Sequence, residues 1–543
     1  MYKDGKVWLA VNEDGEDIFL LPGKANRHGL IAGATGTGKT VTLRVMAEAF
    51  SDMGVPVFLA DVKGDIAGMM APGIDSEDMQ KRIERFGLAE NGFSYQGYPV
   101  TFWDIYGQNG IQLRTTISEM GPMLLARIMK LNELQTNILS IVFKIADDNG
   151  LLLIDTKDLK SMLNYVNGNR SEFEAEYGKM SPASIAAILR AVVALEIDGG
   201  DVFFGEPGLN IRDWLATEGG KGMINILDSQ SLINNGRLYS TFLLWMLSEL
   251  FEKLPEVGDP AKPKMVFFFD EAHLLFNDAP KSLLEKIEQV VKLVRSKGVG
   301  VYFCTQNPRD IPDGVLAQLS NRIQHALRAY TPADQKAVRA AADSFRENPA
   351  FNTFDTIMGL GTGEAVISFL EEDGTPSIAQ KTKVLPPQSR MGAVTDAERE
   401  QCIKESVLYG KYWEAEDPDS AYEILERLGL EREAALAKAK EEAEIAKAEA
   451  AAAKLREKEA LAAEKAAQRE QEKAEAAAAR EAAREAAQKK RAAKQVGSTV
   501  AGTVGREVGK TVGGTIGGKF GKTLGGNLGA SLGRGILNTL FGR

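Results

Sequence analysis

Cysteine and histidine are nearly missing from this chain, at two and three among 543 residues. Cys304 and Cys402 lie far apart in apolar or helical contexts. That excludes a disulfide framework or a cysteine zinc site and fits a reducing compartment. Three histidines leave little scope for a metal cluster. No run of eighteen apolar residues occurs, so nothing reads as a bilayer-spanning helix. The opening "MYKDGKVWLAVNEDGED" lacks the basic patch and apolar stretch of a secretory leader. The expected location is therefore cytoplasmic. A broad basic surplus is absent too, since the net charge is −10. Residues 496–543 hold six Lys/Arg against one acid, and residues 431–495 hold sixteen against fourteen, which leaves −17 on the first 430. Such a body is not the footprint of a passive nucleic-acid binder. Any grip on DNA has to be local.

What is present suits a soluble protein of two or three folded parts, 44% hydrophobic and 26% charged. "KVWLAVN" and "DIFLLP" around "EDGED" predict a β-hairpin within residues 1–27. The runs at 29–33, 55–61, 98–104, 222–228, 264–273 and 299–306 are apolar or β-branched, with turn signals around them and helical patterns between many of them. Buried strands alternating with helices predict an α/β fold with a mostly parallel sheet. We divide it into a first core part at 28–109 and a second at 221–390, closed by "EAVISFL" and "SIAQKTKVLPP". Between them, residues 110–220 carry apolar side chains at helical spacing and predict a helical insertion. A helical extension follows at 391–430.

Residues 431–495 are dominated by Ala, Glu, Lys and Arg, which predicts a solvated single helix or a weak coiled coil. From Val496 an apolar residue then recurs every fourth position as far as Leu540. A small residue follows each of the first ten, from Gly497 to Gly533. On a helix this glycine-zipper-like tail would let another backbone approach closely, for self-association or membrane contact helped by the basic excess. A low-complexity tail without fixed structure is the alternative.

Chemistry is concentrated in Gly33-Ala34-Thr35-Gly36-Thr37-Gly38-Lys39-Thr40, which satisfies GxxxxGK[ST] between a strand and a helix. Glycines let successive amides converge on phosphate oxygens, and the helix that follows, which includes Val41, aims its positive end there. Lys39 is expected to neutralise the β/γ-phosphates of ATP, with the Thr40 hydroxyl on Mg²⁺. "MVFFFDEAH" ends an apolar strand in two acids. There Asp270 is expected to serve the metal through its water and Glu271 to polarise the attacking water. Gln306, at the end of the next strand, is placed to sense the γ-phosphate, or is a turn residue without a role. His273 links the site to a neighbouring strand or is structural. "LADVKGD" sets Asp61, Lys63 and Asp65 at the carboxyl edge of the sheet, where ligands bind in such folds.

The phosphate loop, "LADVKGD", the helical insertion, "FFFDEAH" and "CTQNPRDIPDGVLAQLSNRI", in that order, resemble the HerA/FtsK group of ring-forming ATPases. The likeness covers roughly residues 10–430 and is greatest to the YjgR-like branch of bacterial HerA-like proteins. It implies a RecA-like P-loop NTPase core and a homo-hexamer with ATP at subunit interfaces, completed by an arginine from the neighbour. Arg295 is the first candidate, then Arg322 and Arg328. HerA proteins carry a substantial β-barrel before the phosphate loop, whereas about 28 residues stand there here, which argues against docking to a nuclease partner. Three functions compete at this stage. They are a motor on double-stranded DNA, an ATP-driven assembly or secretion-type energiser at the inner face of the membrane, and a non-motor ATP-controlled switch.

Overall fold

Five-residue runs buried on both faces set the architecture. "VFLAD", "INILD" and "MVFFF" are buried at every position, the pattern of strands covered by helices on each side. In the computed structural model, residues 1–276 and 281–478 are described. The strands are β1 (Tyr2–Lys3), β2 (Lys6–Asn12), β3 (Asp17–Leu20), β4 (Gly29–Ala32), β5 (Val57–Asp61), β6 (Val100–Asp104), β7 (Ile111–Gln112), β8 (Thr217–Glu218), β9 (Lys221–Gly222), β10 (Ile224–Asp228), β11 (Met265–Phe269), β12 (Val299–Thr305), β13 (Asn321–His325), β14 (Glu364–Ser368) and β15 (Gln380–Val384).

Among the described residues, thirteen of these form one sheet. Its larger part runs β13-β4-β12-β11-β5-β10-β6-β7 with every neighbour parallel. Antiparallel β14 and β15 extend it beyond β13, and β2 pairs with β15. The hairpin expected at 1–27 forms as β2 and β3, but through β15 it continues the main sheet. β13 lay outside the strands expected from sequence. "NRIQH" is largely polar, yet it sits between β4 and β14 with four of five residues buried. Its neighbours, not its own hydrophobicity, make it a strand.

The phosphate loop leads into α1 (Lys39–Asp52), and α2 (Glu77–Arg85) follows β5. Residues 110–220 contain α3 (Ile117–Ile128), α4 (Glu133–Asp148), α5 (Thr156–Gly168), α6 (Arg170–Tyr177) and α7 (Pro182–Leu195). α3 is kinked at Gly121 (φ 71°), ahead of Pro122, where proline disfavours helical geometry in the preceding residue.

The chain separates into two compact units. The first comprises Met1–Phe143, Leu153–Leu163 and Met180–Pro418; the second comprises Lys144–Leu152, Asn164–Lys179 and the chain from Asp419. The helical insertion is thus shared between two units. In the first, Phe58 stacks on Trp214 at 4.8 Å and meets Phe267 at 5.3 Å. Each such buried ring contributes about 2–3 kcal/mol through apolar burial. In the second, a continuous helix runs Ala421–Ala478. It starts ten residues before the expected boundary at 431, because Gly429 does not interrupt it. Residues 479–495 of the charged segment and the repeat at 496–543 lie outside the described residues.

Candidate active site

β4, β12 and β11 are consecutive parallel strands, so their carboxyl ends open at one edge of the sheet. Ile31 is level with Cys304 and Ala32 with Thr305, while Phe269 is level with Phe303. Two strand spacings separate β4 from β11, roughly 10 Å. The phosphate loop leaves β4 and the acidic pair leaves β11 across that gap.

The loop is held by backbone bonds from three sides. Gly33 N donates to Thr305 O at 3.2 Å, Ala34 N to Ala326 O at 2.8 Å, and Gly363 N to Thr37 O at 2.9 Å. Gly33 has φ 155°, and a Cβ there would come within 2.5 Å of the His325 Cβ. Gly38 has φ 114° and precedes α1 without a side-chain cap. The first amides of that helix therefore have neither a helical acceptor nor a capping side chain, which is the arrangement that accepts an anion. Lys39 is buried, with Nζ donating to Gly33 O at 2.6 Å and Ala34 O at 3.2 Å. Thr40 and Val41 occupy the first turn half-buried, whereas Thr35 and Gly36 at the loop tip are exposed.

Asp270 is 1% exposed, and its Oδ2 has no hydrogen-bond donor. Burial, then the neighbouring Glu271 carboxylate, pushes its pKa up. An orphaned buried carboxylate oxygen opposite a phosphate loop fits a hydrated divalent cation, which would remove that penalty. The Cys304 thiol, also buried, is pushed well up by burial and by the Asp270 charge. Cys304 is a poor nucleophile in this setting.

Glu271 stands in the left-handed region at φ 46°. Lys63 Nζ donates to its Oε1 at 2.5 Å. Gln306 Nε2 lies 3.2 Å from Oε2 and 3.4 Å from Oε1, and His273 Nδ1 lies 3.3 Å from Oε2. Burial would raise the Glu271 pKa, but the Lys63 hydrogen bond and charge, with Gln306 and Lys39, bring it below its ordinary value. The carboxylate is held ionised. Lys63 was placed at this edge by sequence and given no role, and Gln306, expected to sense phosphate, bonds to Glu271. Asp61 is buried and accepts from Gly64 N at 2.7 Å and Ile66 N at 3.1 Å. Burial, with Asp65 and Asp228 nearby, pushes its pKa up to about 7.

His325 escaped the sequence reading altogether. Its Nε2 is 2.8 Å from Thr42 Oγ1 and its Nδ1 is 2.8 Å from Glu364 O. Burial, with the Lys39 charge acting in the same sense, lowers its pKa to about 4. A neutral imidazole thereby ties α1 to β14. No periodicity signals such a residue.

The structure does not bring Arg295 to the loop of its own chain. It opens the turn before β12 and lies 3.9 Å from Asp259. The seven residues of β12 then separate it from the loop edge, roughly 23 Å at 3.3 Å per residue. Arg322 Nε donates to Leu319 O. Arg328 is closer to the loop, clamping Met358 O at 2.7 Å and Leu360 O at 3.1 Å, just before the turn that meets Thr37.

A glycine-rich phosphate loop between a central parallel strand and a helix, faced by an acidic pair two strands away, defines a P-loop NTPase. The family model for the helicase HerA-like C-terminal region matches residues 7–521, and the chain belongs to that family. It is similar to the DNA double-strand break repair helicases HerA of Sulfolobus acidocaldarius and Sulfurisphaera tokodaii. Each is 22% identical, over 63% of this chain and 62% of the relative. The chain thus spans about 62% of the length of these curated relatives. Among solved structures, plasmid coupling protein TrwB in complex with the ATP analogue ADPNP has a TM-score of 0.48 at 16% identity, over 68% of this chain and 87% of that one. VirB4 of Thermoanaerobacter pseudethanolicus has a TM-score of 0.43 at 14% identity, over 70% and 97%.

Proposed function

We propose that this chain is an ATP-hydrolysing ring-type motor of the YjgR-like branch, working as a homo-hexamer on double-stranded DNA. The observation that carries the ATPase reading is the Asp270–Glu271 pair. One carboxylate is buried with an orphaned oxygen, and the other is held ionised by Lys63, opposite the Lys39 loop.

Magnesium, held by the Thr40 hydroxyl and through water by Asp270, supplies charge neutralisation at the phosphate oxygens when bound. The amides of 33–40 and the Lys39 ammonium grip the triphosphate. Glu271 accepts the proton of the attacking water, and Gln306 donates to that same carboxylate. The DNA reading is supported by family membership and by the relatives' printed role as DNA repair helicases. The acidic body confines DNA contact to local basic loops.

Phosphate release by the purified chain tests the first part, with and without duplex DNA. Turnover that requires magnesium and rises with duplex DNA supports the motor. Turnover indifferent to DNA but coupled to a membrane or protein cargo would move the assignment to the secretion-type energiser. Absence of any turnover would sink both.

A further inference from the structure

The ion pair between Lys63 and Glu271 joins two strands that sequence order keeps about two hundred residues apart. We propose that Lys63 is a positioning residue for the general base: its ammonium, carried on a turn fixed by Asp61, sets the orientation in which the Glu271 carboxylate meets water. This rests on the ATPase reading above.

Glu271 lies just past β11 in a left-handed conformation, so no regular element dictates where its side chain points. Its partners do. Gln306 is neutral and exposed, at 3.2 and 3.4 Å. His273 Nδ1 is 3.3 Å away but makes no hydrogen bond. Lys63 is the charged contact among the three, and charge-assisted bonds are the strong ones.

The lysine is aimed by its turn. Both Asp61 carboxylate oxygens accept amides of that turn, from Gly64 and Ile66. Ser229 N caps Asp61 O at 2.9 Å from the neighbouring strand's end. Gly64 takes φ 75°, with the Gln230 amide packed where a Cβ would stand. Arg44 on α1 donates to Asp65 O at 2.9 Å, so the helix that follows the phosphate loop also fastens the turn carrying Lys63. The Lys63 side chain is 42% exposed while that of Glu271 is 5% exposed. The ammonium thus gives up hydration to reach a buried carboxylate, which a solvated surface lysine has no reason to do.

Steady-state turnover and binding of a fluorescent ATP analogue, measured on the full chain, test the proposal. Lys63→Ala should lower kcat about tenfold or more while KM and the analogue Kd stay within about threefold. Lys63→Arg should recover most of the loss. Added to Glu271→Gln, Lys63→Ala should change residual turnover by less than about twofold, because the group it positions is gone. If Lys63→Ala fails to fold, Lys63→Met keeps the length and apolar bulk of the arm and carries the same expectation. A kcat within about twofold of the unaltered chain overturns the proposal. So does a rise in kcat, a loss that follows Kd, or a full additive loss in the Glu271→Gln background. If the unaltered chain itself shows no turnover, the ATPase reading falls and takes this one with it. If it turns over and the lysine variants match it, only the role of Lys63 falls.

Discussion

At Glu271 a strained backbone and two hydrogen-bonding neighbours, Lys63 and Gln306, hold one ionised oxygen pair at the mouth of the sheet. Replacing it with glutamine keeps the shape and removes the basicity. Glu271→Gln should bind ATP as tightly as the unaltered chain and turn it over roughly 10²–10⁴-fold more slowly, read by single-turnover phosphate release. Lys39→Ala should instead weaken nucleotide binding, since its ammonium is the buried charge of the loop. His325 gives a test free of nucleotide. Its folded pKa, about 4, lies below the ordinary 6.5, so its contribution is fully present above pH 6.5 and is lost as pH falls toward 4. Between pH 7.5 and 5 that loss is about 2 kcal/mol. His325→Gln removes the titration, so the stability gap between the two proteins should shift by about that amount in urea melts at the two pH values. Equal slopes would show that the imidazole is not buried neutral. The Gly33–Thr40 loop was legible because its function depends on a contiguous run. Lys63 and His325 were not, because their partners lie in distant segments that only strand pairing brings close.

At the scale of elements, the sheet order decides what is separable. β2 is flanked by β3 and β15 and is buried over most of its length, so residues 1–27 are part of the main sheet. Deleting them strips β15 of one of its two partners and bares an edge. The truncated chain should aggregate or lose several kcal/mol, seen by size-exclusion and thermal melting. Wild-type behaviour would mean the hairpin is an appendage. Gly33→Ala attacks the loop's attachment. A Cβ at φ 155°, 2.5 Å from His325, forces either the strand or the loop to move. It should cost about 2–4 kcal/mol and disturb nucleotide binding together with stability. Most buried strands were readable as apolar runs. β13 was not, because "NRIQH" owes its burial to β4 and β14.

For the whole molecule, the questions are assembly and the segments beyond the core. Arg295 lies at the sheet edge opposite its own loop, so any role at a phosphate has to be played in a neighbouring subunit. Arg295→Ala should then lower kcat on the order of 10³-fold or more with binding kept. Mixing it with Lys39→Ala subunits should restore part of the turnover, as each supplies what the other lacks. Unchanged turnover would remove Arg295 from the mechanism. Among the described residues, no single helix is long and apolar enough to cross a membrane. Recruitment to anionic vesicles, if the tail provides it, should vanish on deletion of 496–543 while hydrolysis persists. Sequence by itself determined the phosphate loop, the acidic pair and the strand-and-helix alternation, because each is written in residues adjacent along the chain. Tertiary structure alone decided that Lys63 meets Glu271, that His325 anchors α1 and that the amino-terminal hairpin joins the main sheet. Those contacts depend on which strands lie side by side, and no local pattern encodes that choice.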